Sequence, residues 1–274
     1  MAKSQLEKII SKHNLSPKEL DVALSQLEKS NHSIIPSYNH HFSPTHTRIG
    51  IVSDTHFGNK ATDKQFLYKL YDFFKKQKVE AIYHAGDVID GFYSNRQGHV
   101  YELYAIGAER QIEDVVKNYP EIPGIKTFFI DGNHPINSMP GVDTGKEISN
   151  RRKDLIHLGE FNARINLSDK CSMDLVHPED GINQYAVSYK PQRYIESIEG
   201  GAKSNILVMG HYHKAFYVFY RNIHAFLPGT TENQTQFMKG KRIAANKAGL
   251  MLDIYTKKDG SIERLIQEWI PDYK

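Results

Sequence analysis

From Arg48 onward, short apolar runs alternate with amphipathic stretches of helical period, and this alternation restricts the fold more than any other feature of the chain. "RIGIVS" reads as a strand, "KQFLYKLYDFFKKQ" as an amphipathic helix and "EAIYHA" as the next strand. "HVYELYAIGAERQIEDVVKNY" reads as one long helix, and "KTFFI" as a further strand. Continuous apolar strands joined by helical crossovers belong in a parallel sheet covered on both faces. Beyond residue 160, "FNARINL", "SMDLVH", "NILVMG", "AFYVFY", "IHAFLP" and "GLMLDIY" add strands with few helices between them. The expected class is therefore α/β, with a second sheet packed on the first.

Ahead of this region, residues 1–30 read as two short helices. Leu6, Ile9, Ile10 and His13 give one apolar stripe, and Leu20, Ala23, Leu24 and Leu27 another. Ser16, Pro17 and Glu19 supply an N-cap, a first-turn proline and a capping-box partner for the second helix. "SNHSIIPSYNHHFSPTHT" then reads as a linker, with His40, His41 and His46 as solvated loop residues rather than a metal cluster. The expected organisation is an N-terminal helical segment and linker over 1–46 and one large domain over 47–274. The helix pair fits a docking or packing role better than DNA binding, because "PKELDVALSQLEKS" is as acidic as it is basic.

Composition narrows the setting. The 274 residues suffice for a full core, and 35 Lys+Arg against 32 Asp+Glu neither demand nor exclude nucleic acid. Cys171 is the single cysteine, which fits a reducing compartment and excludes a thiolate metal site. No apolar run approaches the roughly 18–20 residues of a membrane span. A cytoplasmic protein with no membrane partner is expected.

The chemistry lies at the ends of the strands. After "IVS" come Asp54 and His56; after "IYHA" come Asp87 and Asp90; after "TFFID" come Asn133 and His134. "MDLV" leads into His177, and "ILVMG" into His211 and His213. In open α/β sheets ligands bind at the carboxyl ends of the strands, so five separate segments deliver ligand-type side chains to one rim. One Asp-x-His after a strand is more often a turn than a ligand. Five such elements in order favour metal binding, and a mixed oxygen and imidazole set suits manganese, iron or zinc.

The ordered series "DTH", "GDVID", "GNH", "VH" and "GHYH", spread over roughly residues 48–256, resembles the calcineurin-like metallophosphoesterase superfamily. The resemblance implies an αββα sandwich, two β-sheets flanked by helices, with two divalent ions at the strand ends. Matched by position, it implies that Asp54, His56 and His213 hold one ion, that Asn133, His177 and His211 hold the other, and that Asp87 bridges them. His134 matches the family's catalytic histidine. Asp90 is placed with it, as a residue that orients a ligand or His134, against a purely structural alternative. Manganese is the first expectation for the metal, with iron, zinc or nickel as alternatives.

The implied activity is binuclear-metal-dependent phosphoester hydrolysis, in which a metal-bridging hydroxide attacks phosphorus. A phosphodiesterase or nuclease acting on DNA or RNA leads. A small-molecule phosphatase or nucleotide hydrolase is the alternative, favoured if the aromatic insertion after the second motif closes over a compact pocket. A non-catalytic scaffold fits least, since every ligand position is filled. A homodimer is left open.

Two departures from the family pattern stand out: Pro135 follows His134 where an acidic residue is usual, with Asp131 as a candidate substitute, and the fourth motif reads "HPEDG" where glycine often comes directly after the histidine. Phe92, Tyr93, Arg96, Tyr101 and Tyr104 offer aromatic and cationic contacts near the rim, although Tyr101 and Tyr104 also read as the buried stripe of a helix. Lys146, Arg151, Arg152 and Lys153 lie in a stretch similar to DNA-repair nucleases of the superfamily, and they read equally well as phosphate contacts or as a solvated helix face. Lys239, Lys241, Arg242 and Lys247 form a second basic stretch. His84 reads as a packed or supporting residue rather than a ligand.

Overall fold

The computed structural model describes residues 35–43, 45–139, 141–181, 185–199 and 201–273. The two helices expected within residues 1–30, and the start of the expected linker, lie outside them.

Six strands form the first sheet: β2 (His46–Val52), β3 (Ala81–His84), β4 (Thr127–Ile130), β5 (Leu155–Gly159), β11 (Ala248–Thr256) and β12 (Ile262–Pro271). Their order is β12-β11-β2-β3-β4-β5. Strands β2 to β5 run parallel, and β11 and β12 close one side antiparallel. The second sheet contains β1 (Ser37–Asn39), β6 (Asn162–Ser168), β7 (Cys171–Val176), β8 (Ile206–Met209), β9 (Ala215–Tyr220) and β10 (Ile223–Pro228), in the order β1-β6-β7-β8-β10-β9.

The two-residue period of each strand divides its side chains between two layers. Ile49, Ile51, Tyr83 and Leu252 of the first sheet meet Ile165, Met173, Val208 and Phe226 of the second in one buried cluster, so the sheets pack face to face. Val52, Ile82 and Met251 point the other way, onto helices α1 (Lys64–Gln77) and α3 (Ala108–Asn118). Leu207, Met209 and Ala225 cover the opposite outer face together with Ile195 of α6 (Tyr189–Ser197). The result is an αββα sandwich. No helix among the described residues is long and apolar enough to cross a membrane.

Helix α1 illustrates the local logic. Asp63 caps it by accepting from the Phe66 amide at 3.0 Å, and Lys78 ends it in the left-handed conformation. Phe66, Leu67, Leu70, Tyr71 and Phe74 recur at three- and four-residue spacing on the buried face. Phe74 packs directly over Gly50 of β2, where a methyl group would crowd its ring.

Two sequence expectations are corrected. The long helix over 99–119 is broken into α2 (His99–Glu102) and α3. Gly107 enters α3 at φ 93°, and the Tyr104 amide leaves the helical pattern to donate to Gly58 O at 2.9 Å. Tyr101 is 78% exposed and Tyr104 46% exposed, so neither belongs to a buried stripe. The expected linker contributes β1, which pairs with β6 in parallel. Within it, His40 Nδ1 meets the Tyr83 hydroxyl at 2.7 Å and His46 Nε2 meets Asp253 at 2.6 Å, so these two are packed rather than solvated. Only His41 of the three is exposed.

Candidate metal centre

Asp54 and His56 leave β2, Asp87 leaves β3, and Asn133 with His134 opens the short helix α4 (Asn133–Ser138) after β4. His177 follows β7, and His211 and His213 follow β8. The turns that carry them are unusual. Asp54, His56, Asp87, His211 and His213 all have positive φ, between 48° and 79°, and are five of the nine described non-glycine residues that do. Left-handed backbone at such residues costs of order 1–3 kcal/mol each and persists only where the surrounding structure enforces it. Enforcement is visible at Gly132, φ 86°, where a methyl group would overlap both the Asp87 carboxylate and its amide.

The side chains converge in two groups. His56 Nε2 lies 3.2 Å from His213 Nε2 and 3.9 Å from Asp54 Oδ1, and His213 Nε2 lies 3.3 Å from that same oxygen. In the second group, Asn133 Oδ1 lies 3.0 Å from His177 Nε2 and 2.9 Å from His211 Nδ1. Asp87 Oδ2 is 3.0 Å from His177 Nε2 and 3.9 Å from His56 Nε2, so it touches both groups. Asp54, His56 and His213, and separately Asp87, His177 and His211, can each place one donor atom within 4.8 Å of the others. Bonds of 2.0–2.2 Å allow ligands of one ion to stand up to about 4.4 Å apart, and the 3.2–3.9 Å separations in the first group and the 2.9–3.0 Å separations about Asn133 and His177 in the second lie inside that span. The oxygen and imidazole donors fit manganese, iron or zinc chemistry.

Asp90 is the hub beneath this arrangement. Its Oδ1 lies 3.0 Å from His56 Nδ1 and 3.3 Å from His134 Nδ1. Its Oδ2 lies 2.8 Å from His99 Nε2 and accepts from Asn59 Nδ2 at 3.0 Å. His134 Nδ1 also meets the Asp90 carbonyl at 2.7 Å, and the His134 amide donates to Asp87 Oδ1 at 2.9 Å. Burial alone would lower the His134 pKa, but the Asp87 charge and the bonds to Asp90 outweigh it and raise it to about 9. Burial and the neighbouring His177 push His211 down to about 4. His84 is driven to about 3 by burial and faces Thr55 Oγ1 at 3.1 Å, as a packed residue.

A cavity of about 120 Å³ opens from this centre. Its far wall is built by Arg96, Glu102, Thr235, Phe237, Met238 and Ile243. The Arg96 guanidinium stacks over the Phe237 ring at 4.0 Å and pairs with Glu102 Oε2 at 2.9 Å. Glu102 Oε1 in turn accepts from the Phe237 amide, the first turn of α7 (Gln236–Lys241), at 2.9 Å. Arg96 of the aromatic insertion is thereby brought to the cavity, while Tyr93 lies behind it with its hydroxyl 3.3 Å from Asn133 Nδ2.

Other expected contacts lie elsewhere. Asp131 pairs with His157 at 2.9 Å, and His134 takes its support from Asp90 instead. On and beside helix α5 (Thr144–Arg151), Lys146 pairs with Asp143, Arg151 with Glu109 and Glu147, and Arg152 with Asp154, so these three cations of that basic stretch are already matched by acids. Lys247 bonds Asp63 and Asp272, whereas Lys239, Lys241 and Arg242 are exposed. The sequence reading missed Glu232 and His99. Glu232 lines the cavity four residues beyond the end of β10, a sixth strand end that the same rule would have flagged.

The chain matches the calcineurin-like phosphoesterase superfamily domain over residues 47–244 and belongs to that superfamily of metal-dependent phosphoester hydrolases. Among solved structures it is similar to an archaeal phosphodiesterase (14% identity, 82% of this chain and all of that one, TM-score 0.44). It is also similar to Yfce, a phosphoesterase from E. coli (16% identity, 80% and 98%, TM-score 0.41). A third likeness is to zinc-complexed Vps29 from Entamoeba histolytica (11% identity, 82% and 99%, TM-score 0.42). No curated protein sequence matches the chain.

Proposed function

We propose that the protein is a binuclear-metal phosphodiesterase, with Asp54, His56 and His213 holding one divalent ion, Asn133, His177 and His211 the other, and Asp87 bridging. The observation that carries this reading is the Asp87 carboxylate, which stands within ligand span of both donor groups. When bound, two such ions, manganese by first expectation, supply a Lewis-acid clamp for a phosphate and an acidified water. The protein supplies the rest. Asp90 occupies His134 Nδ1 and leaves Nε2 as the nitrogen available to the cavity. With Nδ1 held by Asp90, His134 is suited to deliver a proton from Nε2 to a departing oxygen, a step that the poor alkoxide leaving group of a diester requires.

The experiment is manganese-supplemented hydrolysis of bis-p-nitrophenyl phosphate and of end-labelled single- and double-stranded DNA and RNA, with Asp87→Asn as control. Turnover that disappears in the variant is expected; full turnover in Asp87→Asn would sink the bridging assignment.

A second reading, hydrolysis of a small phosphoester of nucleotide size, is favoured by the cavity itself. The Arg96–Glu102–Phe237 contacts wall off a compact space beside the two donor groups, too confined for a polymer duplex. Lys146, Arg151 and Arg152 are paired with acids, which weakens the case for a long polynucleotide track. Hydrolysis of nucleotide-sized esters without cleavage of polymers would select this reading within the same assay.

A further inference from the structure

Three of the four candidate ligand histidines have their second ring nitrogen tied to an oxygen. His56 Nδ1 meets Asp90 Oδ1 at 3.0 Å, His177 Nδ1 meets Ala85 O at 2.7 Å, and His211 Nε2 meets Asp180 O at 2.7 Å. Each such bond fixes the tautomer, placing the proton on the outer nitrogen and a lone pair on the inner one. His213 is the exception. Its Nε2 faces His56 and Asp54, but its Nδ1 is buried with no hydrogen-bond partner.

A second orphan stands beside it. Glu232 is 1% exposed, its Oε1 also lacks a partner, and its Oε2 lies 3.9 Å from His213 Nδ1. The turn that carries Glu232 is fixed. Its amide donates to Thr230 Oγ1 at 2.9 Å, and that hydroxyl donates to Asp54 O at 2.7 Å. The Thr230 amide donates to Asn246 O, and the Asn246 amide donates to His213 O at 2.9 Å. Glu232 is therefore anchored to the backbone of both Asp54 and His213. A buried polar atom left without a partner is costly, and here both His213 Nδ1 and one oxygen of the neighbouring Glu232 carboxylate lack one, while the other oxygen lies 3.9 Å from His213 Nδ1 and 4.0 Å from His56 Nε2.

We propose that Glu232 is a positioning residue for His213, its carboxylate accepting the Nδ1 proton when Nε2 faces a cation. This rests on the reading of Asp54, His56 and His213 as one ion site. A histidine that offers Nε2 to a cation carries its proton on Nδ1, and that proton needs an acceptor. Closing the 3.9 Å gap to hydrogen-bond distance takes a side-chain shift of roughly 1 Å. The fourth histidine then matches the other three, each held from behind by an oxygen.

The test is calorimetric titration of the full chain with Mn²⁺ alone, so that it reads binding rather than turnover. Wild type takes up two ions. Glu232→Met, which removes the acceptor but keeps the volume, weakens one of the two by about 10–100-fold, the usual effect of losing such a supporting group. Glu232→Gln keeps an acceptor oxygen and stays close to wild type, which also controls for folding. Glu232→Met binding both ions like wild type would overturn the proposal. So would Glu232→Gln losing as much as Glu232→Met, because the carboxylate would then be a direct ligand. Failure of the underlying two-ion reading looks different: wild type taking up fewer than two ions, or His177→Ala leaving both sites intact.

Discussion

Asp87 concentrates the residue-scale argument. Asparagine has nearly the same shape and tolerates the left-handed backbone observed at this position. Asp87→Asn should therefore lower turnover at least a hundredfold while changing the thermal midpoint of the ion-free protein little, and parallel kinetics and calorimetry check both halves. Single residues also mark what was legible in the sequence. The seven ligand-type residues and His134 could be named because each lies within four residues of the end of an apolar strand. Glu232 sits at the same offset from β10, but its approach to His213 is a separation in space that the sequence does not encode. The Asp90 alternatives stayed open for the same reason: its four partners include His99 and Asn59, which lie on other turns.

At the scale of elements, periodicity gave helix α1 its length and its buried face. Phe74 is fully buried there, against β2 and Tyr71. Truncating it to alanine should cost about 3–5 kcal/mol, measured by urea unfolding with an unchanged slope. Helix α7 makes the opposite case. Phe237 is 40% exposed and lines the cavity beneath Arg96. Phe237→Ala should leave stability near wild type but raise KM for a nucleotide-sized ester roughly tenfold, in line with the loss of one stacking surface; equal KM values in both proteins would exclude that contact. The break between α2 and α3 escaped the sequence reading because helical spacing runs on across it. Gly107 and the pull of the Gly58 carbonyl decide the matter, and the second of these is a tertiary contact.

For the whole molecule, the two-sheet plan was readable because strand and helix periods differ, whereas the parallel pairing of β1 with β6 joins segments more than a hundred residues apart. The ion-pair cluster across β2 and β11 gives the global stability an acid-side dependence. Burial would raise the Asp253 pKa, but its bonds to Arg48 and His46 outweigh this and hold it below the usual carboxylate value. A depressed folded-state pKa stabilises the fold above the unfolded value of about 3.9, and that contribution fades as pH falls through the folded value. The thermal advantage of wild type over Asp253→Asn should thus be present at pH 6 and shrink below pH 4; a constant difference across that range would contradict the assignment.

The left-handed turns at five of the candidate ligand positions carry a further consequence. Geometry for chemistry is written into the main chain at these places, and an L-residue with a bulky side chain is the wrong monomer for it on conformational grounds. A glycine would relax each of those turns, yet it would remove a donor each time. Selection for turnover and selection for robustness therefore pull in opposite directions at Asp54, His56, Asp87, His211 and His213, and a lineage freed from hydrolysis would drift toward a tougher, silent sandwich through these positions first.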